Sequence, residues 1–161
     1  MKVRIRVMTL GLLVLAWVGQ AMASTTPNVE ISNPWARATF ALATTGAVYF
    51  SLNNQGAEDL KLIGASVSDA IANEAQVHDV LMDGDVMKMR HQKDGVIIKG
   101  SSTLEFAPGG KHIMLMGLAS GLNEGQTFAL VLQFENAPDI TIQVPVKADA
   151  GNEHEHHHHH E

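Results

Sequence analysis

Methionine and histidine are concentrated in one short stretch of the chain. Residues 24–153 contain five methionines and three histidines, and all eight fall between positions 78 and 116. They are His78, Met82, Met87, Met89, His91, His112, Met114 and Met116. Methionine used only to fill a core would be spread among the strands. The concentration therefore indicates a site built from sulfur and imidazole.

These side chains together select a particular metal chemistry. Thioether sulfur is a soft, neutral ligand that favours Cu(I) over hard or borderline ions. Zinc prefers thiolate or carboxylate beside histidine, so it fits this set poorly. The chain has no cysteine, which excludes a blue-copper site and a cysteine nucleophile. Neutral ligands would hold a monovalent ion that can still be surrendered, which suits a carrier.

Strand alternation sorts the candidate ligands into groups that share a face. Side chains alternate across a strand with period two. Three groups result: His78 with Val80 and Met82, Met87 with Met89 and His91, and His112 with Met114 and Met116. Ile113 and Leu115 then point to the core on the opposite face.

The Asp83-Gly84 dipeptide predicts a hairpin turn between the first two groups. A two-residue turn at Asp83-Gly84 would pair His78 with Met89. A four-residue loop would instead pair His78 with His91 and leave Met89 diagonal to His78. Both registers keep the soft ligands together on one face, and the strand of His112 has only to lie close by.

The elements that must position these residues are short strands. Segments of β character alternate with turn signals at a spacing near ten residues, a pattern typical of an antiparallel β-sandwich or barrel. The predicted strands are 47–52, 60–67, 77–82, 86–91, 96–99, 103–106, 112–118, 127–134 and 140–146. Residues 24–34 are polar and turn-rich, and 69–75 could form a short helical turn.

The two ends of the chain differ from this domain. A basic start, an apolar stretch and the small-x-small sequence Ala21-Met22-Ala23 predict a secretory signal peptide over 1–23. A retained membrane anchor is the alternative, but the apolar stretch is short for a span. We expect a domain over 24–148, then a disordered His-rich tail over 149–161.

The charge balance restricts the partners. Without residues 1–23 the chain has 8 basic and 17 acidic residues, a net charge of −9 with histidine neutral. Such a surface repels phosphate backbones, so nucleic acid is not expected as a partner. The signal peptide implies a soluble periplasmic protein with no stable membrane span after cleavage, and we expect a monomer.

With this pattern of histidines and methionines, the sequence resembles the periplasmic copper chaperones called PCuAC, which help load the binuclear copper site of cytochrome c oxidase. The family pattern is His, about ten residues, Met, about twenty-one residues, then His-x-Met. Here ten residues separate His78 from Met89, and 22 residues separate Met89 from His112-Ile113-Met114. The segments 83–90, 108–118 and 33–39 also look like the family, and the resemblance covers about 29–147.

The resemblance implies a cupredoxin-like Greek-key β-sandwich with His78, Met89, His112 and Met114 as Cu(I) ligands. Met87 and Met116 would be supporting or alternative sulfur ligands. The spacing to His78 favours Met89 over Met87, and the choice stays open. Trp35 and Arg37 receive no role beyond packing and surface charge. The implied partner is the copper-site subunit of the oxidase or another assembly chaperone.

The histidine tail suggests a second metal function. His154 and the run 156–160 could be a purification tag, but the retained signal peptide and the interrupting Glu155 favour a natural tail. Imidazole clusters favour Cu(II), Zn(II) or Ni(II). We expect the tail to capture Cu(II), and deletion of 153–161 should then lower the Cu(II) stoichiometry.

Three functions fit these observations to different degrees. A copper carrier that is not an enzyme is favoured, and copper storage or resistance shares its chemistry. An enzyme or electron-transfer protein is disfavoured because cysteine and any nucleophile–base set are missing. A β-sandwich interaction module with a sticky methionine surface is the alternative without metal.

Overall fold

A computed structural model describes residues 28–148, which form ten β-strands. The signal peptide and the His-rich tail expected from the sequence lie outside the described residues. The strands are β1 (Val29–Arg37), β2 (Thr45–Asn54), β3 (Leu60–Val67), β4 (Ala72–Asp83), β5 (Val86–His91), β6 (Val96–Ile98), β7 (Ser102–Phe106), β8 (His112–Leu118), β9 (Thr127–Phe134) and β10 (Ile140–Lys147). Within this range no helix has the length and apolar character to cross a membrane.

The strands form one continuous hydrogen-bonded order, β5-β4-β8-β2-β1-β10-β9-β3-β6, and β7 pairs with β2 beyond the end of β8. A single pairing of Ala65 with Ala75 joins β3 to β4 and closes the structure. All pairs are antiparallel except β1 with β10. The predicted all-β, cupredoxin-like sandwich is confirmed.

Two local predictions were wrong. The polar segment 24–34 contains the start of β1, because Val29 and Ile31 alternate toward the core and pair with β2 despite the neighbouring Pro34. The register shifts between Ser32 and Trp35, where Asn33 has φ 51°. Residues 69–75 form no helix: a turn closed by the Ser68 carbonyl leads directly into β4.

A row of buried aliphatic side chains determines which residues face outward. Val48 of β2 pairs with Ile113 of β8, which pairs with Val77 of β4, and all three are at most 1% exposed. Burying each such side chain contributes about 1.5–3 kcal/mol. Because side chains alternate, this row sends residues 47, 112 and 78 to the opposite face. The core therefore fixes the orientation of the candidate ligands.

Candidate metal centre

Strand β8 holds its two candidate ligands between β4 and β2. The preceding turn has Gly109 at φ 81° and is closed by the hydrogen bond between the amide of Gly110 and the carbonyl of Ala107, 3.0 Å. His112 follows and is 6% exposed. Its Nδ1 lies 3.0 Å from the carbonyl oxygen of Gly110, which can only accept, so Nδ1 carries the proton. The lone pair of His112 Nε2 is left available for a metal ion.

His78 lies beside His112 on β4. The two residues are directly paired, and their ring centroids are 5.9 Å apart. The Nε2 of His78 lies 3.0 Å from Oε1 of Gln76, and the amide nitrogen of Gln76 donates to Glu74 at 2.8 Å. That second bond orients the amide, so its oxygen accepts from His78 and the proton of His78 is on Nε2.

The other ring nitrogen of His78 is the clearest local sign of a ligand site. Its Nδ1 is buried and has no hydrogen-bond partner, which is unusual for a buried polar atom. Burial, then the neighbouring His112 and His91, hold the pKa of His78 below its usual value. Both effects keep the ring neutral, the state in which imidazole binds a metal.

The β4–β5 hairpin has the second of the two predicted registers. His78 pairs with His91, the rings stack with centroids 5.3 Å apart, and Met89 is opposite Val80 and diagonal to His78. The register that pairs His78 with Met89 is wrong. Asp83 is still paired with Val86, so the two loop residues are Gly84 and Asp85 rather than Asp83 and Gly84.

The backbone of Gly84 explains the shift. Gly84 occupies the first loop position with φ 62°, the position at which a type II′ turn requires glycine. The sequence prediction instead placed it second, as in an Asp-Gly type I′ turn. The resulting one-residue shift of the turn changes the cross-strand partner of His78 by two residues.

Three of the four predicted ligands line one cavity. A cleft of about 310 Å³ is bordered by Met89, His112 and Met114, with Val80 and Tyr49 among its other walls. His78 does not line this cleft and lies alongside it, next to His112. Met114 is half-buried and Met89 is 64% exposed, so one sulfur lies inside and the other at the rim. The structure thus brings the predicted set to one face of three adjacent strands.

Neither alternative sulfur lies in the lining of this cleft. Met87 is opposite Met82, farther toward the hairpin turn, and is 69% exposed. Met116 is half-buried on β8, opposite Glu74 and Thr45. Placement therefore favours Met89 over Met87 as the β5 donor. Among residues 28–148 no group of three or more His, Cys, Asp or Glu side chains is arranged to hold a metal ion.

Sequence reasoning missed the aromatic wall of the cleft and the amide behind His78. Trp35 packs on Tyr49 with ring centroids 4.7 Å apart, and the ring centroids of Tyr49 and His112 are 6.4 Å apart. Arg37 lines the cleft. The residue pattern around Trp35 does not show which strand pairs with it. Pairing of β1 with β2 and of β2 with β8 places these side chains together.

The strand order and the outward-facing imidazole and thioether groups define a cupredoxin-like β-sandwich with a candidate soft-metal cleft. The chain belongs to the LpqE-like family, whose model, "Putative lipoprotein LpqE-like", matches residues 29–146. It is 34% identical over 124 residues to "Putative lipoprotein Lxx21020" of Leifsonia xyli subsp. xyli (strain CTCB07), covering 77% of this chain and 72% of that protein. It is 31% identical over 124 residues to "Uncharacterized protein RP573" of Rickettsia prowazekii (strain Madrid E), covering 75% and 67%.

Solved structures with the same fold include PCuAC domains. The copper-bound PCuAC domain from PmoF2 superposes with a TM-score of 0.62 at 26% identity, covering 77% of this chain and 96% of that one. The solution structure of apo-DR1885 from Deinococcus radiodurans superposes with a TM-score of 0.58 at 23% identity, covering 93% and 98%. The identity to DR1885 is low enough that this second likeness concerns the fold alone.

Proposed function

We propose that this protein is a periplasmic Cu(I)-binding copper chaperone, and that His78, Met89, His112 and Met114 are the ligands. The buried, unpartnered Nδ1 of His78 beside His112 carries the proposal. A lone buried histidine would normally have both ring nitrogens satisfied. Here each of the two imidazoles has one nitrogen fixed as a donor, and the other is left for an ion.

The donor set supports Cu(I) in particular. Two thioether sulfurs border the cleft with one imidazole, and a second imidazole lies alongside. Soft, uncharged ligands favour Cu(I) over Zn(II) and over hard cations. The likeness to a copper-bound PCuAC domain supports copper as the metal.

The proposed role of the protein is to carry copper rather than to act as an enzyme. Met89 is 64% exposed at the rim of the cleft, so a partner's ligand can approach the ion from that side. The chain lacks cysteine, and a blue-copper electron-transfer site needs that ligand. An accessible edge favours hand-over of copper more than its long-term storage.

The proposal also includes a recipient for the copper and a cellular location for the protein. The resemblance to PCuAC proteins supports delivery to the binuclear copper site of cytochrome c oxidase. The lipoprotein description of the family and the signal-like sequence of residues 1–23 support an exported protein of the periplasm. The histidine-rich residues 154–160 would add a separate Cu(II) site.

The test is a Cu(I) titration of the chain from residue 24 against a competing Cu(I) chelator. We expect about one tightly held Cu(I). The loaded protein should then transfer copper to an apo copper-site fragment of the oxidase. Absence of a tight Cu(I) equivalent would refute copper carriage, whereas tight binding without transfer would refute only the oxidase as recipient.

A further inference from the structure

The outer end of the β4–β5 hairpin has two methionines that the proposed ligand set does not use. Met82 and Met87 are directly paired across the hairpin and are 64% and 69% exposed. Neither side chain belongs to the buried core. Contiguous exposed apolar patches on soluble proteins mark interaction sites, whereas singly scattered apolar residues need no explanation.

The geometry of this pair suits a soft cation. Directly opposed residues have Cβ atoms about 4.5–5.5 Å apart, and diagonal neighbours about 7–8 Å. Met82 and Met87 are directly opposed, and Met89 is the diagonal neighbour of Met82 on the same face. Each thioether has three rotatable bonds with which to reach a common point. Three sulfurs can therefore converge at the end of the hairpin.

The charges of the hairpin are segregated from this sulfur face. In the sequence Met87-Lys88-Met89-Arg90, alternation places both cations on the opposite face from both sulfurs. Lys88 is paired with Asp83 at 2.5 Å on that other face. The sulfur face of β5 is thus free of lysine and arginine, which would repel a bound cation.

We propose that Met82 and Met87, with Met89 as a shared third sulfur, form a second and weaker Cu(I) site at the hairpin end. The choice of Cu(I) as the ion of this second site rests on the proposed function, whereas the arrangement of its three sulfurs does not. Met89 belongs to both sites, so an ion can keep this sulfur while Met82 and Met87 are replaced by the remaining ligands of the cleft. The second site is a position through which copper passes on entry or release.

The test uses the chain from residue 24 to 161 with 13C-labelled methionine methyl groups, titrated anaerobically with Cu(I) under ascorbate to several equivalents. We expect the first tight equivalent to shift the signals of Met89 and Met114. Further Cu(I) should then shift Met82 and Met87 together and shift Met89 a second time, because its sulfur is then shared between the two ions. Replacing both with leucine, M82L/M87L, should abolish this second phase and leave the first unchanged, because leucine keeps the apolar volume without sulfur.

The control is M116L, which removes the half-buried sulfur of β8 and should leave both phases intact. Unshifted Met82 and Met87 signals with a normal first phase would overturn the second site and leave the proposed function standing. Shifts confined to Met82 and Met87 would support the second site and refute the cleft as the Cu(I) site. No shift at any methionine would refute both.

Discussion

The two halves of the candidate metal centre differ in how firmly the fold holds them. Strand β8 lies between β4 and β2, and the neighbours of its ligands, Ile113 and Leu115, are fully buried. In contrast, every residue from 81 to 90 on the β4–β5 hairpin is exposed. Among residues 28–148, strand β5 lies at the edge of the sheet and pairs with β4 alone. One half of the centre is a rigid holder and the other half is an open rim.

This difference matches the chemistry of the ligands in each half. Both imidazoles are oriented by hydrogen bonds from their second nitrogen, to Gly110 for His112 and to Gln76 for His78. Rigid, pre-oriented ligands lower the cost of binding an ion. The flexible thioether of Met89 on the exposed strand can adapt or let go. Affinity should therefore come mainly from the buried half and exchange from the rim.

Removing the buried imidazole should have the largest effect. We expect His112→Ala to lower Cu(I) affinity by more than about 100-fold, which exceeds the 10–100-fold cost of losing a partner behind a ligand. Chelator competition measures the affinity, and thermal unfolding checks that the variant is folded. If the folded variant bound Cu(I) with unchanged affinity, the buried half would not be the main source of Cu(I) affinity.

Removing the amide behind His78 should have the next largest effect. Gln76→Ala deletes the acceptor that keeps the proton on Nε2, so Nδ1 is no longer reserved as the donor. We expect a fall in Cu(I) affinity of about tenfold to 100-fold, measured by the same competition. Glu74→Gln is the matched control, because its amide oxygen can still accept from Gln76. Equal losses in both variants would count against tautomer control.

The two methionines of β5 test the rim. We expect Met89→Leu to weaken Cu(I) at the first equivalent by about tenfold, corresponding to about 1.4 kcal/mol. Met87→Leu, which alters a residue outside the cleft, should leave that affinity within about twofold. Both substitutions preserve apolar volume, so stability should hardly change. A larger loss in Met87→Leu would reassign the β5 ligand.

The sequence was sufficient to predict the fold class and the strand face on which the candidate ligands lie. Alternation along β8 and β5 depends only on strand period, and the buried row of Val48, Ile113 and Val77 confirms the side predicted for the ligands. The ligand roles of His78, Met89, His112 and Met114 stay predictions. The choice of Met89 over Met87 is supported only by position: of these two methionines, Met89 lines the cleft and Met87 does not.

Features that depend on contacts distant in sequence could not be predicted. The register of the hairpin was decided by the backbone conformation of one glycine, Gly84, which composition does not reveal. The stacking of Trp35 on Tyr49 depends on the pairing of β1 with β2. The role of Gln76 was invisible because glutamine on a strand is usually a solvated residue.

The smallest expected effect is on the pH dependence of the stability of the metal-free protein. It tests how strongly the buried half of the centre opposes protonation of His78. Because the pKa of His78 is lowered on folding from its ordinary value of 6.5, the unfolded chain takes up the proton first as the pH falls. Stability from this residue is therefore complete above about pH 6.5 and decreases as the pH drops below it. We expect the melting temperature to fall between pH 7 and pH 5, and to fall less in His78→Gln. Comparing the two chains isolates His78 together with its coupling to His112 and His91, because the groups that do not act on His78 are common to both chains. An identical fall in both would mean that His78 is no more difficult to protonate in the fold than in the open chain, and that the buried half is less closed than its geometry indicates.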